Sequence, residues 1–350
     1  AGILADDVDA PRWFESDVVW MRDVDAAVAL FGEGAVLALL RRAGAGWELA
    51  PEADLSRARV PESLQGLILA RFDRLEPAPR RVLQAASVLG DRFKPPVLFE
   101  MLAGDLEARG ALALLAERDF LVPDAGVGGD GAGQYAFRHT LVSDAVYATL
   151  LQSDRKELHT QAGLAIERLA AGRPEAQAEI LATHFLRGSL QDRALRYLIM
   201  AGQKASAAYT LAQARDFFAQ ALKLLPAVEH SLEQGLAVHS GLGDCLLTLG
   251  EYPAALEQFN AAIETRVSPG AERFAGRAAL QRKAAAALER QGSYDEAMAL
   301  LDAAEALLEA HPGLDPAEQG RILNDTGWIY FRRGDLERAE PLLEQARLLA

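Results

Sequence analysis

Cysteine is nearly absent from this chain: Cys245 stands alone in 350 residues. An internal disulfide is therefore excluded, and a reducing, cytoplasmic setting is expected. Cys245 falls in an apolar helical stretch, where a buried structural thiol is the expected role. Aromatic residues are also scarce, at 7%. Alanine and leucine are plentiful, which favours helix over sheet. Positive charge is in deficit, with a net charge of −14. That balance argues against broad binding to nucleic acid or to an anionic membrane, since either needs a positive face. No window carries the roughly 18 or more apolar residues of a membrane helix, and no signal peptide opens the chain. What is present is a chain half hydrophobic, long enough for two or three domains of ordinary size.

Catalytic signatures are missing too. There is no GxxxxGK[ST] loop to cradle a nucleoside triphosphate. No HExxH, paired CxxC or GxSxG occurs, and no ligand set clusters as a metal site requires. The histidines are scattered: His159, His184, His239 and His311 each sit alone on a helical pattern, where structural or surface roles are expected. Gly126, Gly128 and Gly131 satisfy GxGxxG, but a dinucleotide site needs a helix next. Here a strand follows, so those glycines read as a hairpin turn. "ILADD", near the start, resembles an apolar strand ending in the magnesium-holding acid of ATPases, yet without a phosphate loop an ordinary strand and turn is expected.

The chain then divides by pattern. Residues 1–58 are poorly defined. Within them "DAAVALFGEGAVLALLRRAG" reads as one or two helices ending at Gly44, and "GWEL" as a short strand. Residues 59–150 form a compact unit. Leu64, Leu67, Ile68, Phe72 and Leu75 share one helical face, and Pro79 and Gly90 bracket a second helix. Two more helices follow, then a strand at Phe120–Val122, a Gly-rich turn and a strand at Tyr135–Phe137. Helices followed by one β-hairpin describe a winged helix. Arg138 and His139 fall where that last strand becomes a helix, a place for a ligand, a hinge or simple packing.

Residues 151–193 read as a helical connector or degenerate repeat, and 194–350 as a repeating array. Ala214, Ala255, Ala297 and Ala339 recur at intervals of 41, 42 and 42. Four residues on come Phe218, Phe259, Leu301 and Leu343, and three further on Ala221, Ala262, Ala304 and Ala346. Small residues precede each set at Gly202, Gly243, Ala285 and Gly327, and Gly250, Gly292 and Gly334 mark turns. This is a helix-turn-helix repeat: the small residues mark close helix crossings, and each bulky residue is expected to pack on the following helix. "GEYPAALEQFNAAI" and "GDLERAEPLLEQARLL" resemble tetratricopeptide repeats, with a period longer than the usual ~34 residues. Ala350 falls inside a helical pattern and the first residue is not Met, so both ends are expected to be cuts from a longer protein.

"VPESLQGLILARFDRLEPAPRRVLQAASVLGDRF", "YAFRHTLVSDAVYATL" and "RKELHTQAGLAIE" together resemble the STAND class of signal-transduction ATPases. The nearest kind is the bacterial predicted ATPases fused to class III adenylate or guanylate cyclases, serine/threonine kinases or LuxR-type regulators. The resemblance implies a mainly α fold, a winged-helix domain followed by an α-α superhelix of tetratricopeptide-like repeats. It implies a non-catalytic regulatory and interaction region, with no cofactor in this chain and ATP or ADP with magnesium in the intact parent. By that likeness "FRHTLVSD" maps a contact to the β-phosphate of bound ADP onto His139. A protein or small effector is expected on the concave face of the repeats, and a nucleotide-dependent oligomer in the parent. The chain departs from the family where the phosphate loop should be, so ATP hydrolysis and tight ATP binding by this chain are not expected. Two alternatives stay open: a cochaperone-like adaptor scaffold, or DNA binding through the winged helix by Arg71, Arg74, Arg80, Arg81, Arg92 and Lys94.

Overall fold

The computed structural model describes residues 40–43, 46–49, 62–103, 106–124, 133–170, 172–264, 271–311 and 313–349. The apolar-Asp-Asp stretch, the possible strand at Ile3–Ala5, and Gly126, Gly128 and Gly131 lie outside those residues. Two compact units divide the chain, Ala1–Leu169 and Ala170–Ala350.

In the first unit, Leu40–Ala43 (β1) and Gly46–Leu49 (β2) pair antiparallel, with Arg42 opposite Trp47. The strand at Gly46–Leu49 agrees with the sequence reading. The strand at Leu40–Ala43 corrects it, because a helix was expected to run on to Gly44. Four residues are too few for periodicity to separate a last helical turn from a strand, and cross-strand pairing decides.

Next come Glu62–Asp73 (α1), Pro77–Leu89 (α2), Arg92–Phe93 (β3), Pro95–Met101 (α3) and Leu106–Glu117 (α4). Leu121–Asp124 (β4), Gln134–Phe137 (β5), Thr140–Thr149 (α5) and Gln152–Leu169 (α6) complete the unit. Proline opens α2, whose missing N–H removes a donor the first turn could not satisfy. Gly90, at φ 102, ends it. The hairpin expected from Phe120–Val122 and Tyr135–Phe137 is present with slightly shifted limits, Leu121 facing Phe137. It is not alone. Arg92–Phe93 adds a third strand on the other side of β5, giving the order β3-β5-β4. A two-residue strand carries no period and cannot be read from sequence. Leu83, Leu98, Leu115, Leu121 and Val146 are fully buried in one core drawn from helices and sheet together.

The second unit is helical: Ala178–Arg187 (α7), Gln191–Ala207 (α8), Leu211–Leu224 (α9), Leu232–Leu249 (α10), Tyr252–Glu264 (α11), Ala271–Gln291 (α12), Tyr294–Glu309 (α13), Pro316–Arg332 (α14) and Leu336–Leu349 (α15). The repeat register is visible in the packing. α8/α9, α10/α11, α12/α13 and α14/α15 are successive pairs, and Ala214, Ala255, Ala297 and Ala339 are all buried. The turn glycines Gly250, Gly292 and Gly334 share φ near 80°, at 84°, 83° and 81°. In the first pair the same position holds Tyr209, at φ 57°. Its ring is 87% exposed, so packing does not explain a conformation that glycine adopts at lower cost.

The bulky residues, expected on the following helix or, at the C-terminal end, left partly exposed, also fill the gap inside their own pair. A Cβ on Gly202 would stand 2.8 Å from the Phe218 ring, and one on Gly243 would stand 2.5 Å from Phe259. Each ring thus packs back on the first helix of its own pair. Phe218 also reaches forward, onto Gly241 of α10, and Phe259 shares one packed cluster with Ala284 and Ala287 of α12. Leu343 lies against Gly327 in the same way and is half-buried.

Ala297 has no room for a larger side chain, being fully buried where α13 crosses α12. Ala297→Leu should therefore destabilise by about 1–3 kcal/mol through overpacking. Glu296, its exposed neighbour, should tolerate Gln within ~0.5 kcal/mol. Thermal melts of the two variants check the register; equal shifts would mean it is misplaced.

Candidate functional site

His139 is the N-cap of α5, in extended conformation (φ −141°, ψ 138°), with its side chain exposed. Its carbonyl accepts from the Val142 N–H at 3.0 Å, while its ring makes no capping bond. The pinning falls to Arg138. Its N–H donates to the Phe120 carbonyl at 3.0 Å, and its guanidinium pairs with Asp119 at 3.3 Å. Strand, turn and helix start are therefore fixed by Arg138, and the imidazole is left on the surface beside backbone N–H groups of a helix N-terminus. Further along α5, the Tyr147 hydroxyl meets Nε2 of buried His159 at 3.0 Å, and Arg155 lies 4.6 Å over the Tyr147 ring. That contact ties α5 to α6.

Three of the arginines weighed for DNA binding have structural work. Arg71 donates to the Arg118 carbonyl at 2.7 Å, and Arg80 to the Asp73 carbonyl at 2.5 Å. Arg92 pairs with Asp124 at 3.1 Å, across the sheet edge. They hold helix ends and strands rather than forming one continuous basic surface.

In the repeats, polar contacts run from the first helix of each pair to the first helix of the next. Ser206 meets Cys245 at 3.6 Å, from α8 to α10. Lys283 of α12 donates to Ser240 and Asp244 of α10, the latter at 2.7 Å. Arg282 of α12 donates to Glu318 at 2.6 Å and Asp325 at 3.3 Å on α14, and Arg332 approaches Glu289 at 3.1 Å. Burial opposes the Arg282 charge, but Glu318 and Asp325 outweigh it and raise the guanidinium's affinity for its proton. Burial also pushes the Cys245 thiol up, away from the reactive thiolate.

At α14 this ladder reaches its last described rung. By register, Trp328 occupies the place of Asp244, and Phe331 that of Glu289. In the second pair Asp244 meets Lys283 of α12, and in the third Glu289 meets Arg332 of α14. Trp328 and Phe331 are 45% and 48% exposed, stacked with centroids 5.3 Å apart, and Arg332 lies 5.8 Å over the indole. Arg321 and Asn324 continue the same exposed stripe. The sequence reading missed this site, although a Trp and a Phe three apart stand where earlier repeats carry Asp, Leu, Ala or Glu. Among the described residues no group of three or more His, Cys, Asp or Glu comes together as a metal site requires, and no helix is long and apolar enough to cross a membrane.

A protein of Rhizobium meliloti (strain 1021), described only as uncharacterized, is 28% identical over 171 residues, 48% of this chain. The chain spans only 16% of that relative's length. Among solved structures, BtubC (BKLC) from P. vanneervenii has a TM-score of 0.43 and 19% identity, covering 57% of this chain and 80% of its own. MamA from Desulfovibrio magneticus RS-1 has a TM-score of 0.39 and 18% identity, with 57% and 97% covered. The tetratricopeptide repeat family model matches residues 276–347, the stretch from α12 to α15 that carries the Arg282 ladder and the exposed aromatic pair.

Proposed function

We propose that this chain is the non-catalytic regulatory and protein-interaction region of a STAND-class ATPase, and that its repeats hold an amphipathic helix of a partner protein. The stacked, exposed Trp328–Phe331 pair carries the reading. Its face continues the interface that joins each first helix to the next, so its natural occupant is another helix lying alongside α14, with an apolar stripe over the rings. Tetratricopeptide-type arrays offer extended surfaces of this kind. For the first unit, the order α2-β3-α3-α4-β4-β5 with strands β3-β5-β4 supports a winged helix. There His139 would report the phosphate state of a nucleotide held elsewhere in the parent protein, and the relay would run through α5. An adaptor that uses the same aromatic face without any nucleotide is the second reading.

A photo-crosslinking residue at Asn324, beside the rings, should capture a helical segment of one partner in cells. The same residue at exposed Glu337 should not, and Trp328→Ala with Phe331→Ala should abolish capture. Equal capture from both positions overturns the assignment of the face. Purified chain with magnesium and ATP should release phosphate only at the background rate, because no phosphate loop neutralises the β- and γ-phosphates. Release above background would overturn the non-catalytic reading.

A further inference from the structure

In the first unit, Arg71, Arg74 and Arg118 line one shallow groove whose floor is Leu75 and Phe120. The groove is built by the chain rather than by chance proximity of mobile side chains. The Arg71 guanidinium donates to the Arg118 carbonyl at 2.7 Å and lies 4.8 Å over the Phe120 ring, so the end of α1 is tied to the end of α4. Asp119, at φ 58°, turns the backbone between Arg118 and Phe120. The floor residues Leu75 and Phe120 are buried, at 4% and 3% exposure.

Among the described residues, the charge in this groove is not neutralised. Among the described residues neither Arg74 nor Arg118 has a side-chain hydrogen bond or ion pair. The adjoining carboxylate, Asp119, is taken by Arg138. Asp73 and Glu117 neighbour the arginines in sequence but do not line the groove. A chain of net charge −14 therefore keeps three guanidiniums together with two of them unanswered.

We propose that this groove binds a phosphoryl group. Guanidinium forks match phosphate and carboxylate oxygens bidentately. Three forks favour phosphate, which offers more oxygens and about two charges where a carboxylate offers one. The apolar floor lowers the local dielectric and strengthens each contact. The site uses none of the atoms of His139, so its fate and that of the nucleotide relay are separable.

Calorimetric titration of the whole chain with pyrophosphate tests this. Saturable 1:1 binding is expected, weakened about tenfold by Arg74→Gln and by Arg118→Gln, and lost in the double variant. Both side chains are exposed, so thermal melts should stay unchanged. ADP binding more tightly than pyrophosphate would identify the source as a nucleotide, and equal affinities a free phosphate; either supports the site. Absence of saturable binding at millimolar pyrophosphate overturns it. So does binding that survives the double variant, or tighter binding of an acidic peptide or of a DNA oligonucleotide.

Discussion

Gly243→Leu should destabilise the repeat unit by at least ~3 kcal/mol, the upper end of what overpacking costs. A Cβ there would already stand 2.5 Å from the Phe259 ring, which is fully buried and cannot swing aside. The three further carbons of the leucine side chain would force α10 and α11 apart. Gly243→Ala should be milder, about 1–3 kcal/mol. Its cost should be largely recovered by Phe259→Leu, because the third pair already carries that combination: Ala285 and Leu301 occupy the same two positions in one packed cluster. Urea denaturation of the two single variants and the double variant measures the coupling. Additive losses, with no recovery, would show that glycine and ring do not meet.

Arg282→Met should destabilise by about 2–4 kcal/mol. Removing one partner of a buried ion pair leaves the other charge uncompensated, typically at a cost of about 3–5 kcal/mol. The lower range applies because Asp325 is 31% exposed and Glu318 keeps Arg321 at 2.7 Å. Glu318 itself is only 3% exposed, so water cannot replace the lost guanidinium. Adding Glu318→Met should return much of the stability, since well-packed apolar residues can replace a buried pair. A double-mutant cycle by thermal melting separates the pair from its parts. Independent, additive effects would contradict the contact.

The repeats were legible in the sequence because their signal is steric and periodic. Ala255, Ala297 and Ala339 had to be small wherever helices cross closely, and spacing alone revealed them. The same spacing does not say how many neighbours a bulky residue touches: Phe259, expected on the following helix, also packs on Gly243 of its own pair. Arg282, Glu318 and Asp325 were illegible for another reason. They lie 36 and 43 residues apart, and each alone resembles a solvated position on a polar helix face. The exposed Trp328 and Phe331 looked like two more apolar residues until the structure placed their stacked rings on the surface. In the first unit, the His139 junction was legible as a helix start, but the role of Arg138 in pinning it depends on Phe120 and Asp119, which sequence does not bring near. Strands β1 and β3 are too short to announce themselves.

The seams between successive pairs are joined by different materials. Phe218 lodges against Gly202 of its own pair and Gly241 of the next, so one ring fastens two contacts at once by shape. Between α12 and α14 ion pairs are added to the apolar packing of Ile322 and Ile329, through Arg282 with Glu318 and Asp325, and Arg332 with Glu289. Dissolved salt weakens the partly exposed members of the second seam and does not act on the first. Rising ionic strength is thus expected to loosen the contact between α12 and α14 more than that between α9 and α10.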